Sequence, residues 1–429
     1  MKKIALHWQI LIAIVFGCAF GYWLPSRVEY VSWIGDLFIR LLTMVVIPLI
    51  FCSLVAAMTG IRGGEKLRRF GTKTMLLYLL TTLLAILLGL FLVNLIRPGA
   101  KMNIADKSDI VAPSLQTHSL RDILFATLPE NIFADLAAGN ILPIVVFAIL
   151  FGIFLARTRN EATDQGLTAP EGPHTLSGQT VFSPTETLIR CFEGGFDVIM
   201  KMTVFLLAFA PLGVFGLIAK NIAQFSSEGG AFAQFGQGLG LHFLAVFSGL
   251  AIHLLLTLSL CIWLFSGRNP WKHLSNMRAV ILTAFSTASS NGTLPLALRD
   301  VVEKDGVSKE TAGFVLPLGA AVNMNGSALY ECAVVLFVAQ AYGIELSLYQ
   351  QCVTVLMVML AALGTAGIPM ASLVMIVIVL KTVGLPPEGI GLVLAVDRPL
   401  DMCRSALNVY SDTCCAVIVA HSEGETLNV

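Results

Sequence analysis

Asp397, Asp401, Arg404, Ser405, Asn408 and Asp412 recur at offsets of 0, 4, 7, 8, 11 and 15 residues within the stretch DRPLDMCRSALNVYSD. On a helix of 3.6 residues per turn these positions share one face. The chain around them is 56% hydrophobic and only 13% charged, so a face of ionisable groups stands where a membrane span would otherwise be apolar. Such groups cost roughly 2.5–3.5 kcal/mol each at the centre of a span, and they usually face a cavity or partner that marks a transport path. Asp397, Asp401 and Asp412 outnumber Arg404 on this face. The excess carboxylates can meet cations or an ammonium group, and the guanidinium can hold a carboxylate through two parallel N–H bonds. A plainer reading is also open, in which Asp401 and Arg404 neutralise each other and the rest bonds neighbouring helices.

A second polar interruption, AAVNMNGSALYE, places Asn323, Asn325, Gly326 and Ser327 inside an apolar run. Gly326 permits local unwinding, and unwound carbonyls beside amide side chains are hard oxygen ligands for Na⁺. Hydrogen bonding between helices accounts for the same residues equally well. On either side lie two broken apolar segments, one interrupted by STASSNGTLP and the other by GTAGIP. Their halves are too short to cross a bilayer alone, so each pair reads as a re-entrant hairpin whose irregular tip lines a cavity. The alternative for either tip alone is a kinked helix with small residues at a helix contact. Backbone N–H groups at such tips suit a second carboxylate. The combined inventory fits a small molecule with carboxylate and ammonium groups, an acidic amino acid, moving together with cations.

The elements that must position these residues are membrane helices. Mean hydropathy is +0.82, and the apolar runs approach or exceed the ~20 residues that cross a hydrocarbon core without the alternation of a transmembrane barrel. The expected class is an all-α polytopic membrane protein in contact with a lipid bilayer. Helical runs are expected near 4–24, 31–60, 70–97, 129–157, 188–224 and 236–266, with polar connections at 98–128 and 158–185, the second read as a flexible loop. The first run follows Lys2 and Lys3 but lacks a small-residue cleavage site before Pro25, so it reads as a span rather than a removed leader. Arg62, Lys66, Arg68, Arg69 and Lys73 place the following connection in the cytoplasm, and the N-terminal lysines, two spans away, agree. The nine cysteines show no metal-ligand spacing and read as reduced, small apolar fillers. No His or Cys constellation supports an enzyme, and a channel would present a repeated ring rather than unlike groups. Net charge is zero and no nucleic-acid partner is expected.

Four motifs in order, SSNGTLP at 289–295, NMNGSALYE at 323–331, GTAGIP at 364–369 and DMCRSALNVYSD at 401–412, make the chain resemble the dicarboxylate/amino acid:cation symporter family over nearly its whole length. That family includes the excitatory amino acid transporters and their prokaryotic glutamate and aspartate relatives. The resemblance implies eight transmembrane helices plus two re-entrant helical hairpins in an elevator-type glutamate transporter fold. Scaffold helices 1–2 would span 1–69, helix 3 of the transport domain and its loop 70–128, scaffold helices 4–5 129–225, and the rest of the transport domain 226–429. A homotrimer in the inner or plasma membrane, with both termini cytoplasmic, is implied as well.

By the same resemblance, Arg404 binds the substrate's side-chain carboxylate with help from Ser327, and Asp401 binds its amino group. Asn408 and the tip residues Ser289, Ser290 and Asn291 hold the α-carboxylate, with Ser405 beside them. The 364–369 tip, through Gly367, Ile368 and Pro369, closes over the site. One sodium site combines Asp412 and Asn408 with carbonyls of Gly319 and Asn323. A second uses carbonyls near Ala321, Ala362, Leu363 and Thr365. A third involves Tyr78, Thr81, Thr82, Asn323 and Asn325. Glu331 occupies a position where proton-coupled relatives keep a glutamate, so H⁺ joins Na⁺ as an expected co-transported ion.

The chain departs from the family pattern at three positions. Residue 325 is Asn where Asp is common, which removes a ligand charge and puts the third sodium site in question. Ala288 and Met402 occupy the positions where the family supplies a substrate-side arginine, leaving Arg404 as the arginine of the site. Within the same fold the competing ligands are a C4-dicarboxylate, which Asp401 would repel, and a neutral amino acid, which would leave Arg404 unpaired.

Overall fold

The computed structural model describes residues 6–59, 65–100, 102, 128–138, 141–164, 174–176, 179–181, 184–227, 232–364 and 371–429. The helices are α1 (Leu6–Trp23), α2 (Glu29–Thr59), α3 (Glu65–Ile96), α4 (Ile132–Ala138), α5 (Ile141–Asp164), α6 (Pro184–Leu207), α7 (Ala210–Ser227), α8 (Phe232–Ile252), α9 (Leu258–Ser266), α10 (Pro270–Thr287), α11 (Ser290–Asp305), α12 (Lys309–Val322), α13 (Asn325–Ala341), α14 (Leu348–Gly364), α15 (Ala371–Thr382) and α16 (Leu394–Ser422). A π turn over His253–Thr257 joins α8 to α9. Among the described residues, Phe70–Ile96, Gln234–Ser266 and Lys309–Ala341 are long and apolar enough to cross a membrane. Phe91, Leu95, Trp263 and Leu264 are exposed large apolar side chains on two of these runs, a surface suited to lipid.

Two expectations change. The connection 158–185 is not a plain loop, because α5 continues to Asp164 and His174–Leu176 pairs antiparallel with Gln179–Val181. The buried Arg159 donates from Nη1 to Thr59 O at 2.9 Å, which holds that extension of α5 in place. The described chain is therefore helical apart from this small hairpin. The run expected over 188–224 is two helices, α6 and α7, with a turn at Ala208–Phe209. Pro211 has no N–H to give and its ring clashes with the carbonyl four residues back, so the ladder breaks there. Beyond the break the ladder resumes, with Gly213 N donating to Phe209 O at 3.2 Å.

By packing, the chain divides into two compact units, one of 1–44, 77–116 and 204–429 and the other of 45–76 and 117–203. In the smaller unit Phe51, Phe147, Phe151 and Phe192 form an aromatic cluster with ring centroids 5.6–6.4 Å apart. In the larger unit α1 lies against α7, and Gly21 makes that approach possible, since a Cβ there would sit 2.9 Å from Ile222 Cβ. The core of the larger unit is α16, surrounded by α10, α11, α12 and α13. Local sequence sets the ends of these elements. Asn269 caps α10 by accepting from Trp271 N and Lys272 N with Pro270 at the first helical position, and Ser308 caps α12 by accepting from Thr311 N at 3.1 Å.

Candidate functional site

Asp397, Asp401, Arg404, Asn408 and Asp412 are all buried along α16, as is Ser405. Arg404 is fully buried. Its Nη2 donates to Asp401 Oδ1 at 2.9 Å and to Asp397 Oδ1 at 3.1 Å, and Arg398 Nη1 donates to Asp401 Oδ2 at 3.2 Å. The guanidinium carbon lies 3.8 Å from the centroid of the Tyr330 ring. Among the described residues, Arg404 Nε and Nη1 nevertheless have no hydrogen-bond acceptor. A buried guanidinium with donors left over is costly, and the vacant donors belong to the group that binds carboxylates in a fork. Arg404 and Asp401 do neutralise one another, as the plainer reading had it, but only through one nitrogen of the guanidinium.

The break between α12 and α13 lies at Asn323–Met324, whose backbone angles (φ −97°, ψ 74° and φ −102°, ψ 54°) are not helical. Gly326, expected to be the point of unwinding, sits inside the first turn of α13. Its lack of a side chain serves close approach instead, since a Cβ there would lie 2.9 Å from Arg404 O and 3.2 Å from Asn408 Oδ1. Gly326 N donates to Asn408 Oδ1 at 2.8 Å, and Asn408 Nδ2 donates to Ser327 Oγ at 3.4 Å and Met324 Sδ at 3.3 Å. The broken helix is thus fastened to α16 through Asn408.

One turn further along α16 a second cluster forms. Asn323 Nδ2 donates to Asp412 Oδ1 at 2.7 Å and to Ser411 Oγ at 3.1 Å, and Asn325 Nδ2 donates to Ser411 Oγ at 2.7 Å. Thr82 Oγ1 donates to Asn325 Oδ1 at 2.7 Å, tying α3 to the same place. Gly319 packs so closely against Asp412 that an added Cβ would meet Asp412 Oδ1 and stand 2.7 Å from the Tyr78 hydroxyl. Asn323 Oδ1 is buried with no hydrogen-bond donor among the described residues. An unfilled amide oxygen beside a carboxylate, next to an irregular backbone turn, is a donor set that suits a small hard cation. Tyr78 and Thr81 are buried beside this cluster, but their hydroxyls donate to Val315 O at 2.8 Å and Leu77 O at 2.9 Å.

The remaining expected site residues fall in three groups. Ser289 caps α11 by accepting from Gly292 N at 3.1 Å, Ser290 is buried and Asn291 exposed, and α11 packs against α16. The break at this tip is narrower than expected, confined to Ala288 and Ser289, with Ala288 held at φ +49°. Ala362 and Leu363 are buried at the end of α14, whereas Ala321 is exposed. Thr365, Gly367, Ile368 and Pro369 lie outside the described residues. Glu331 is fully buried in α13, six residues beyond Asn325.

The expectation of Arg404 as the one arginine of the site changes, since Arg398 also reaches Asp401. Sequence reasoning also passed over Ser411 and Tyr330. Both were marked by spacing, since Ser411 follows Arg404 and Asn408 at seven and three residues, and Tyr330 follows Asn323 and Ser327 at seven and three. All nine cysteines are unpaired, and Cys191 and Cys352 are exposed rather than packed as fillers.

The model of the sodium:dicarboxylate symporter family matches residues 6–422. The chain is 32% identical to a proton/sodium-glutamate symport protein of Bacillus caldotenax over 435 residues, covering 99% of this chain and 96% of that protein. It is 32% identical to a proton/glutamate-aspartate symporter of Escherichia coli strain K12, covering 98% and 93%. It is also 33% identical to neutral amino acid transporter B(0) of Bos taurus, covering 94% and 77%. With the match running through the α3, α13 and α16 residues just described, the chain belongs to the sodium:dicarboxylate symporter family.

Proposed function

We propose that the protein is a membrane transporter, not an enzyme, that takes up acidic amino acids such as aspartate and glutamate by symport with Na⁺, with H⁺ as a further coupling ion. The observation that carries this reading is Arg404, buried with Nε and Nη1 unfilled and flanked by Asp397 and Asp401. The unfilled donors receive the side-chain carboxylate, and Asp401 exchanges part of its bond to Arg404 for the substrate ammonium. Asn408, Ser327, Ser405 and the tip residues Ser289, Ser290 and Asn291 complete the pocket. The tip holding Gly367, Ile368 and Pro369 closes it. Relatives named for glutamate and glutamate-aspartate transport support this choice.

The cation reading rests on Asn323 Oδ1 and Asp412. One sodium ion would take Asp412, Asn408 and the carbonyls of Gly319 and Asn323, and another the carbonyls near Ala321, Ala362, Leu363 and Thr365. The third site would take Tyr78, Thr81, Thr82, Asn323 and Asn325, and it is the weakest of the three because all but Asn323 Oδ1 are committed to hydrogen bonds. Glu331 is the proposed proton carrier.

The working form is a homotrimer in the cell membrane with cytoplasmic termini. Eight transmembrane helices and two re-entrant hairpins move as scaffold (1–69, 129–225) against transport segments (70–128, 226–429) in an elevator. A neutral amino acid is the second reading, favoured by the 33% identity to neutral amino acid transporter B(0). Binding of labelled aspartate to the purified protein, with Na⁺ present and with choline in its place, tests the proposal. Na⁺-dependent binding that serine does not displace is expected. Displacement by serine but not by glutamate would favour the neutral reading and contradict this one.

A further inference from the structure

Away from the buried polar cluster, the end of α9 and the start of α10 enclose an open groove of ≈ 530 Å³. Its lining includes Leu256, Ser259, Leu260 and Trp263 from the span and Arg268 and Trp271 from beyond it. Leu256, Leu260, Trp263 and Trp271 are each more than half exposed, and the first three lie on Gln234–Ser266, a segment long and apolar enough to cross a membrane. From Leu256 to Ser266 a helix rises about 15 Å, half of the ~30 Å hydrocarbon core. The groove therefore has the length of one leaflet's acyl chain, with two exposed tryptophans toward the end where ring systems favour the headgroup level.

The polar groups at that end have one sign. Arg268 follows the last residue of the span by two positions, and among the described residues its side chain makes one hydrogen bond, from Nη1 to Leu427 O at 3.5 Å. A guanidinium has five N–H donors, so most of the fork is left for a ligand. Lys272, exposed in the first turn of α10, adds a second positive charge, and no Asp or Glu lines the groove. The first N–H groups of α10 do not share the task, because Trp271 N and Lys272 N donate to Asn269 Oδ1 at 3.0 and 3.2 Å. Deeper in the groove Ser259 is 7% exposed, and its Oγ has no hydrogen-bond partner among the described residues. Lipid ester oxygens are acceptors that a bare hydrocarbon tail lacks.

We infer that this groove binds a phospholipid with a net anionic headgroup, its phosphate on Arg268 and Lys272 and an acyl chain along Leu260 and Leu256. A zwitterionic lipid brings its own cation to the phosphate and gains less from the two basic side chains. Attraction of an anionic headgroup to each of them is worth about fivefold in affinity. The inference is independent of which solute the protein carries.

The test is quenching of tryptophan fluorescence in the full-length protein, reconstituted with brominated phosphatidylglycerol or brominated phosphatidylcholine. A Trp263→Phe, Trp271→Phe variant gives the background from Trp8, Trp23 and Trp33. Half-quenching of the wild-type protein is expected at a mole fraction of phosphatidylglycerol at least fivefold below that of phosphatidylcholine. In an Arg268→Gln, Lys272→Gln variant the two lipids should come within twofold. Equal quenching by both lipids in the wild-type protein would mean unselective boundary lipid and overturn the inference. So would a preference that survives in the Arg268→Gln, Lys272→Gln variant or in the variant lacking both tryptophans. Release of the brominated phosphatidylglycerol by excess soluble glycerol phosphate would reassign the groove to free phosphate and overturn it as well. Should either variant fail to fold, the comparison of the two lipids on the wild-type protein still decides.

Discussion

Arg404 donates to Asp401 across 2.9 Å through Nη2 alone, while its Nε and Nη1 meet no acceptor among the described residues. A fully buried guanidinium in this state is poised to take a carboxylate. Replacing Arg404 by Cys should lower kcat/KM for aspartate by about 30–5000-fold, the range for removing one partner of a buried, hydrogen-bonded charge pair. Uptake of serine or alanine should rise in the same variant. Side-by-side uptake of labelled aspartate and serine checks both halves.

Asp401 should distinguish amino acids from plain dicarboxylates. In Asp401→Asn the ammonium loses its counter-charge, so aspartate uptake should fall at least tenfold. Competition by succinate should not weaken. The check is inhibition of residual aspartate uptake by succinate, compared with the wild-type protein.

Tyr330 lies under the guanidinium at 3.8 Å. A desolvated cation–π contact is worth about 2 kcal/mol, so Tyr330→Leu should raise the KM for aspartate by roughly 30-fold. Tyr330→Phe keeps the ring face and should stay within about twofold. Concentration series of initial uptake rates in the two variants provide the comparison.

Gly326 tests packing rather than chemistry. Alanine there places a methyl group 2.9 Å from Arg404 O, whereas alanine at Gly313 meets nothing within 4 Å. Gly326→Ala should lower thermal stability by several degrees and reduce transport, because overpacking typically costs about 1–3 kcal/mol. Gly313→Ala should melt with the wild-type protein. Thermal melting of the detergent-solubilised variants distinguishes them.

Much of this site was legible in the sequence because α16 carries its polar residues with helical spacing through an otherwise apolar span. Asp397 to Asp412 needed only the 3.6-residue period to fall on one face, and their burial follows from the helix lying at the centre of its unit. The interruption at 323–327 was equally plain. Its mechanics were not, since whether a glycine unwinds a helix or admits a neighbour depends on the neighbour, here the backbone of Arg404. Ser411 and Tyr330 were hidden for a related reason. Their helical spacing put them beside the other polar residues, but a serine or tyrosine in a membrane helix gains a role only once the amides and guanidinium it serves are brought against it. The Pro211 break within the expected 188–224 helix was readable from local chemistry, although continuous apolar character on both sides concealed it.

Accumulation of labelled aspartate by liposomes containing the purified protein, under an inward Na⁺ gradient with pH equal on both sides, tests the central claim most directly. The expected result is accumulation above equilibrium that collapses when Na⁺ is equalised and is abolished in Asp412→Asn. Aspartate that merely equilibrates under the gradient, or accumulates equally in Asp412→Asn, would contradict it.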